Sequence, residues 1–411
     1  MKARSRSEGE AAPPAYGTAI FICCMVAFVC YFGSYMRLPV VPLYARSLGA
    51  DTTQVGIINS AFMLMAGLLS LPLGMMSDRL GRKLLASVGL LVLSATSFML
   101  YFSKSPLQLV WIYLLFGIGL AAFGPTMMSI VADFSPTTHL GRSYGWYTTA
   151  LYTAMSIGPA VGGLVAEKLG FLPLFLIAGM VVFFTFWLVI FLLPSPELSR
   201  SGMAKDRKVW ATAKDLLKNR PLLGCWLSTL GGCFGLGMFI TFFPLHAQNL
   251  HIPVGQIGIV FSAQGLSNAI LRIPFGHLSD RVAPRRSLLV VIGSLGFVAS
   301  LAGFALSKNT LHFMLSAMGL GVSMGLAFTS VGALIAEAVP PESRGLAMGG
   351  YNTCIYLGMM LSSAIMGSII PTIGFSNGFL IAALVNFILI FFFHILLRSF
   401  SSSTPSSLSI P

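Results

Sequence analysis

Ten residues with four charges, set between two long apolar runs, limit what this chain can fold into more than any other feature. Gly74-Met75-Met76-Ser77-Asp78-Arg79-Leu80-Gly81-Arg82-Lys83 follows the apolar run 55–73 and precedes the run 84–102. A helix that crosses a membrane needs about 20 apolar residues, and each run is that long. The decapeptide is therefore expected to be a tight charged turn at one membrane face. Gly74 would permit close helix approach, and Gly81 a reversal that a side chain would hinder. Asp78 is placed to cap the following helix, while Arg79, Arg82 and Lys83 would hold that face in the cytoplasm.

The pattern returns later in the chain. Pro274, Gly276, Ser279, Asp280 and Arg281 echo Pro72, Gly74, Ser77, Asp78 and Arg79 at a constant offset, 280 − 78 = 202. Arg142 and Arg344 are also 202 apart. Two unrelated basic turns would not keep such a register, so the chain reads as a duplicated membrane bundle.

Composition agrees. Only 9% of residues are charged against 56% hydrophobic, where soluble domains carry about 25% charge. The formal charge of +13 could suit a polyanion, but its placement points elsewhere. Segments expected in the cytoplasm hold Lys2, Arg4, Arg6, Arg79, Arg82, Lys83, Arg142, Arg200, Lys205, Arg207, Lys208, Lys214, Lys218, Arg220, Arg281, Arg285, Arg286, Arg344 and Arg398. The outer loops hold Arg46, Lys104, Lys168 and Lys308. This is the positive-inside asymmetry, so the charge reports topology and no nucleic-acid partner is expected. The six cysteines lie in or beside apolar runs, without metal-ligand spacing, and read as small buried hydrophobes.

Apolar segments fall near 17–45, 54–75, 83–103, 107–133, 143–166, 171–193, 222–247, 254–276, 286–306, 311–338, 345–369 and 376–397; these are spans one to twelve below. The expected fold is all-α and integral to the membrane, in two pseudo-symmetric six-helix bundles. Residues 1–15 form a cytoplasmic tail, 16–193 the first bundle, 194–220 a cytoplasmic linker, 221–398 the second bundle, and 399–411 a disordered Ser- and Pro-rich tail. An even number of crossings puts both termini in the cytoplasm, and the first span is expected to stay uncleaved. Within the linker, Val209, Trp210, Ala213, Leu216 and Leu217 recur at helical spacing, which suits a short helix at the membrane surface or a solvated one.

The decapeptide resembles the G-x-x-x-D-R-x-G-R-K signature between the second and third helices of the major facilitator superfamily. Gly158-Pro159-Ala160-Val161-Gly162-Gly163 in span five resembles a motif prominent in drug/proton antiporters of that superfamily, with Ala154 where an earlier glycine is usual. The resemblance implies secondary transport of a small molecule by alternating access, in a plasma membrane such as the bacterial inner membrane, by a monomer without a cofactor. Whether protons or another ion drive it stays open, because the arginine common in span four of proton-coupled members aligns with Tyr113. It also implies a cytoplasmic latch in the outward-open state, made by Asp78, Arg82 and Asp133 and repeated by Asp280, Arg285 and Glu337. Arg79, Gly81, Arg142, Arg281 and Arg344 belong to the same gating loops. Gly74, Gly158, Pro159, Gly162, Gly163 and Gly276 are the helix-packing set.

Charge inside a membrane is costly and therefore informative. All twelve acidic residues fall at span ends or in loops. Arg37 lies inside span one, where it would meet an anionic group of the solute or snorkel outwards. Gln264, Asn268 and Arg272 recur every four residues in span eight, a polar stripe that should face the bundle interior. Tyr31 and Tyr35, Asn59, Tyr152, Asn352 and Tyr356, with Phe239, complete the candidate solute contacts. Aromatic and neutral polar walls suit a lipophilic or amphiphilic solute, and efflux is the expected direction. The alternatives are a uniporter or symporter for an organic anion and a non-transporting receptor. Catalysis is not expected: the six histidines are scattered, no metal set recurs, and no phosphate-binding loop is present.

Overall fold

The computed structural model describes residues 16–194, 216–282, 285–340 and 343–401. These are helical almost throughout, and no strand occurs among them. Span one is two pieces, Tyr16–Met36 and Val41–Ser47, separated by a turn at 37–40. Pro39 and Pro42 account for the break, since proline offers no N–H to a helical ladder; Pro42 opens the second piece, the position in a helix where that loss is harmless. Spans two to six are Thr52–Leu80, Arg82–Phe102, Pro106–Phe134, Leu140–Leu169 and Phe171–Leu192. Spans seven to ten are Arg220–Asn249, Val254–Arg281, Arg286–Leu306 and Thr310–Ala338. The last helix, Arg344–Ser401, has 58 residues, too many for one crossing, and Gly374 (φ 82°, ψ 164°) divides it into spans eleven and twelve.

Local chemistry sets several ends. Asp51 and Gln54 form a reciprocal capping box at the start of span two. Asn219 and Asn309 accept the N–H groups of Leu222 and His312 at the starts of spans seven and ten. The signature decapeptide corrects one expectation. It is not a ten-residue turn: span two stays helical to Leu80, and Gly81 alone (φ 99°, ψ 127°) carries the reversal. Asp78 is consequently a last-turn residue of span two and does not cap span three, whose N-cap is Gly81.

Spans one to six pack among themselves, and so do seven to twelve. Across the two halves, span two meets span eleven and span five meets span eight. The interior of the second half is aromatic: Phe239 lies 4.5 Å from Phe261 and 5.2 Å from Phe304 between ring centroids, with Phe243 and Phe313 beside them.

Among the described residues the tightest contacts between the halves lie toward the ends of these spans away from the arginine loops. A methyl group built on Gly56 of span two would lie 3.1 Å from the Gly367 Cα and overlap the Ser363 carbonyl. One on Gly258 of span eight would lie 3.1 Å from the Gly163 Cα and overlap the Pro159 carbonyl. The two contacts are equivalent by the repeat, with 258 − 56 = 202 and 367 − 163 = 204. Hydrogen bonds between halves gather on the same side: Arg46 to Asn249 (2.7 Å), Thr53 to the Gly367 carbonyl (3.1 Å), the Gly255 N–H to Glu167 (2.6 Å) and the Ala160 N–H to Ser262 (3.0 Å). At the other, basic face the ends of these spans stand apart. Gly141, Gly145, Gly345 and Gly349 have open space where a side chain would sit, and Gly74 and Gly276 meet atoms of their own half alone. The molecule is closed at the face away from the arginine loops and open at the basic face.

Of the linker, Leu216 is buried against the second half. The remainder of the expected interfacial helix, and both tails apart from residues 399–401, lie outside the described residues.

Candidate functional site

At the basic face each half holds one arginine between carboxylates. Arg82 binds Asp78 at 3.1 Å, Asp133 across the bundle, and the Ser129 carbonyl at 2.7 Å. In the second half the equivalent guanidinium is that of Arg286, not the expected Arg285. It binds Asp280 at 2.8 Å, the Ser279 carbonyl at 3.0 Å and Glu337, while Arg285 is exposed. The reason is loop length: one residue, Gly81, separates spans two and three, whereas 282–285 separate spans eight and nine. The offset therefore slips from 202 before this loop to 286 − 82 = 204 after it, and 337 − 133 = 204 keeps the new register. By the new register Arg344 answers to position 140 rather than to Arg142, so that sequence pairing is also corrected. Arg344 donates to the Ala336 carbonyl at the end of span ten, and Arg79, Arg142 and Arg281 are exposed. Each cluster is confined to its own half. Asp78 and Asp280 remain 58% and 75% exposed, so neither reaches across while this face is open.

The glycines of span five divide by partner. Gly158 and Gly162 seat span one, where a methyl on Gly162 would overlap the Met36 carbonyl. Gly163 and the Pro159 carbonyl seat Gly258 of the other half. A proline inside a helix disturbs the ladder around it, and the Ala160 N–H after it is taken by the Ser262 hydroxyl of span eight. Gly74 and Gly276, expected at close approaches, have ordinary room because they lie on the open face.

Where the halves part, phenol rings from both converge. Tyr31 and Tyr35 lie 6.2 Å apart in span one, and Tyr31 lies 6.0 Å from Phe123. Tyr35 is within electrostatic range of Tyr152 in span five and of Tyr356 in span eleven, and Tyr152 is within range of Tyr356 and Tyr351. Tyr356 covers Gly67 of span two, in the opposite half. Tyr351 itself is buried in the core of the second half. Arg272 reaches over from span eight, its guanidinium carbon 4.4 Å from the centre of the Tyr152 ring. Asn352 is exposed one turn below Tyr356.

Five expected solute contacts sit elsewhere, Arg37 among them. Phe239 is fully buried in the aromatic interior of the second half. Asn268 is 5% exposed and packs on Gly321 and Gly325 of span ten, while Gln264 reaches Met324 of the same span at 3.5 Å. The stripe thus faces span ten above and the gap only at Arg272. Asn59 is 1% exposed, inside the first half.

Arg37 is 1% exposed and points neither into the gap nor to water. Its terminal nitrogens donate to Thr96 Oγ1 (3.1 and 3.2 Å) and Ser97 Oγ (3.0 Å) of span three, and its guanidinium carbon lies 3.9 Å from the centre of the Phe116 ring. It also stands just past the end of helix Tyr16–Met36, where unsatisfied carbonyls favour a cation. Tyr113, at the span-four position noted above, is within electrostatic range, so positive charge approaches that position from span one. The geometry makes Arg37 part of the first half's interior. Arg37→Ala should destabilise the protein by about 2–4 kcal/mol, in the range for emptying a core position. Arg37→Met, which keeps most of the volume, should cost less; thermal unfolding of the purified proteins compares them. Wild-type stability in Arg37→Ala together with lost solute affinity would show that the side chain serves the solute after all.

Among the described residues no cluster of His, Cys, Asp and Glu could hold a metal ion. The sequence model of the Major Facilitator Superfamily matches residues 23–250 and 225–409. An uncharacterized MFS-type transporter of Methanocaldococcus jannaschii is 24% identical over 90% of this chain and 95% of its own. The quinolone resistance protein NorA of Staphylococcus aureus is 26% identical over 62% of this chain and 66% of its own length. Among solved structures, a bacterial homolog of the human lysosomal transporter Spinster, inward-facing and unoccupied, superposes with a TM-score of 0.79 at 15% identity, covering 97% of this chain and all of that one. The nucleoside transporter NupG superposes with a TM-score of 0.74 at 15% identity, over 92% of this chain and 99% of its own. Two like-registered halves that meet at one face and part at the other are a transporter's architecture, and with the family match they establish that this chain is a membrane transporter of the Major Facilitator Superfamily.

Proposed function

We propose that the transporter exports lipophilic or amphiphilic solutes by alternating access. The observation that carries this reading is the wall where the halves part: Tyr31, Tyr35, Tyr152 and Tyr356 converge there, and no carboxylate of the described residues joins them. Phenol rings offer apolar faces with a polar tip, which suits amphiphiles of varied shape. The glycine- and proline-rich stretch of span five and the similarity to a quinolone resistance protein support the outward direction. We place the protein in the plasma membrane as a monomer, with the basic face and both termini in the cytoplasm. In that orientation the present state is inward-open, ready to load from the cytoplasm or the inner leaflet.

Export is tested with N-phenyl-1-naphthylamine, a lipophile that fluoresces in membranes. Cells that express the protein should accumulate less of it than cells without it, and the difference should vanish when ion gradients are collapsed. Equal accumulation would remove the reading. A second reading, a uniporter or symporter for an organic anion, is favoured by the guanidinium of Arg272 beside Tyr152; uptake of an organic acid that stops at equilibrium, with no dye export, would support it instead.

A further inference from the structure

We propose that the exported solute carries an acidic group, a carboxylate or a sulfonate, and that Arg272 over the face of Tyr152 is where that group binds; this rests on the lipophilic-solute reading above. The arginines of this protein are not in equal circumstances. Arg82 and Arg286 are each held by two carboxylates and a backbone carbonyl. Arg37 is buried and spends two of its nitrogens on hydroxyls. Arg272 is half-buried, and among the described residues no carboxylate pairs with it. The ring it lies over belongs to the opposite half.

Stacking engages the flat face of a guanidinium and leaves its N–H edge free. That edge matches the two oxygens of a carboxylate, or two of the three of a sulfonate, the pairing in which arginine exceeds any other side chain. Tyr351, buried in the second half, is within electrostatic range of the same guanidinium. A permanent cation would meet uncompensated positive charge there.

The internal repeat sharpens the inference. Tyr356 is the equivalent of Tyr152 (152 + 204 = 356), and Ser70 is the equivalent of Arg272 (272 − 202 = 70). Tyr356 covers Gly67, and the Ser70 hydroxyl turns back to the Ala66 carbonyl of its own helix. One of the two matched places is therefore charged and the other neutral and close-packed. An amphiphile fits with its acid toward spans five and eight and its apolar part toward spans two and eleven.

The test uses a matched pair, 1-naphthaleneacetate and 1-naphthaleneacetamide, which differ in charge but little in size. Binding of each to the full-length protein in detergent is measured by calorimetry at pH 7. A charge-assisted pair against a neutral one should favour the acid by about tenfold or more. In Arg272→Gln the ratio should fall to about one, and in Arg272→Lys, which keeps the charge and loses the fork, it should recover in part. A ratio near one in the wild type overturns the inference and leaves the lipophilic reading standing. So does a ratio that survives in Arg272→Gln. Binding of neither compound removes the lipophilic reading and the inference with it. The wild-type ratio decides even where Arg272→Gln fails to fold, and Arg272→Lys supplies the variant measurement in that case.

Discussion

Gly258→Val should yield a folded, membrane-inserted protein that no longer transports. A side chain at this position overlaps the Pro159 carbonyl and lies against Gly163, both in the opposite half, and only while the far face is closed. The obstacle is backbone on a packed helix, so no rotamer relieves it. Overpacking of this kind costs about 1–3 kcal/mol, and every 1.4 kcal/mol shifts an equilibrium about tenfold. Because the cost falls on one state alone, it becomes a population shift toward the state open at the far face, by up to about a hundredfold. Each half keeps its own packing, so unfolding temperature and monodispersity should stay near wild type. A cysteine introduced at the far seam, in place of Thr53, which the closed seam part-buries against the Gly367 carbonyl, should gain reactivity toward a membrane-impermeant maleimide. Normal turnover in Gly258→Val would show that the seam need not close. Gly56→Val, the repeat equivalent against Ser363 and Gly367, should behave in the same way.

Gly162→Val, in a glycine-rich contact that looks the same in the sequence, should fail at an earlier step. The overlap here is with the Met36 carbonyl of span one, within the first half, and the neighbouring Gly158 abuts Phe32 and Tyr35 of the same span. No alternate state relieves a clash inside a half that moves as a unit. The cost should lie at or above the roughly 3 kcal/mol end of overpacking, a large share of the roughly 5–15 kcal/mol that holds a typical protein together. The expected result is little folded protein after solubilisation and an unfolding temperature well below wild type. Wild-type expression and unfolding temperature with altered transport would reverse the assignment of Gly162 to the interior of one half. The contrast between the two glycines separates folding from switching in a single experiment.

Much of this molecule was legible before any coordinates. Run lengths near twenty residues, basic turns and a repeat at 202 led to helices, a basic face and two related halves, because hydrocarbon leaves a backbone few ways to satisfy its own hydrogen bonds. The carboxylates around Arg82 were also expected, on family resemblance. Their counterpart was one residue out: Arg286 and not Arg285 holds Asp280 and Glu337, since the loop at 282–285 moves the register by two.

What could not be read follows from the solvent. In water a helix shows which face is inside by the apolar stripe it carries. In lipid the packed face and the lipid face are both apolar, so nothing in its spacing told that Phe239 belongs to an interior and not to a wall. The same holds for Arg37, whose partners Thr96 and Ser97 lie some sixty positions away on another span. A membrane-length run needs only a local count of apolar residues, and that count the sequence carries in full. Which glycine meets which half, which face stands open, and that Arg272 meets Tyr152 are distances between helices remote in the chain; only the packed structure decides them.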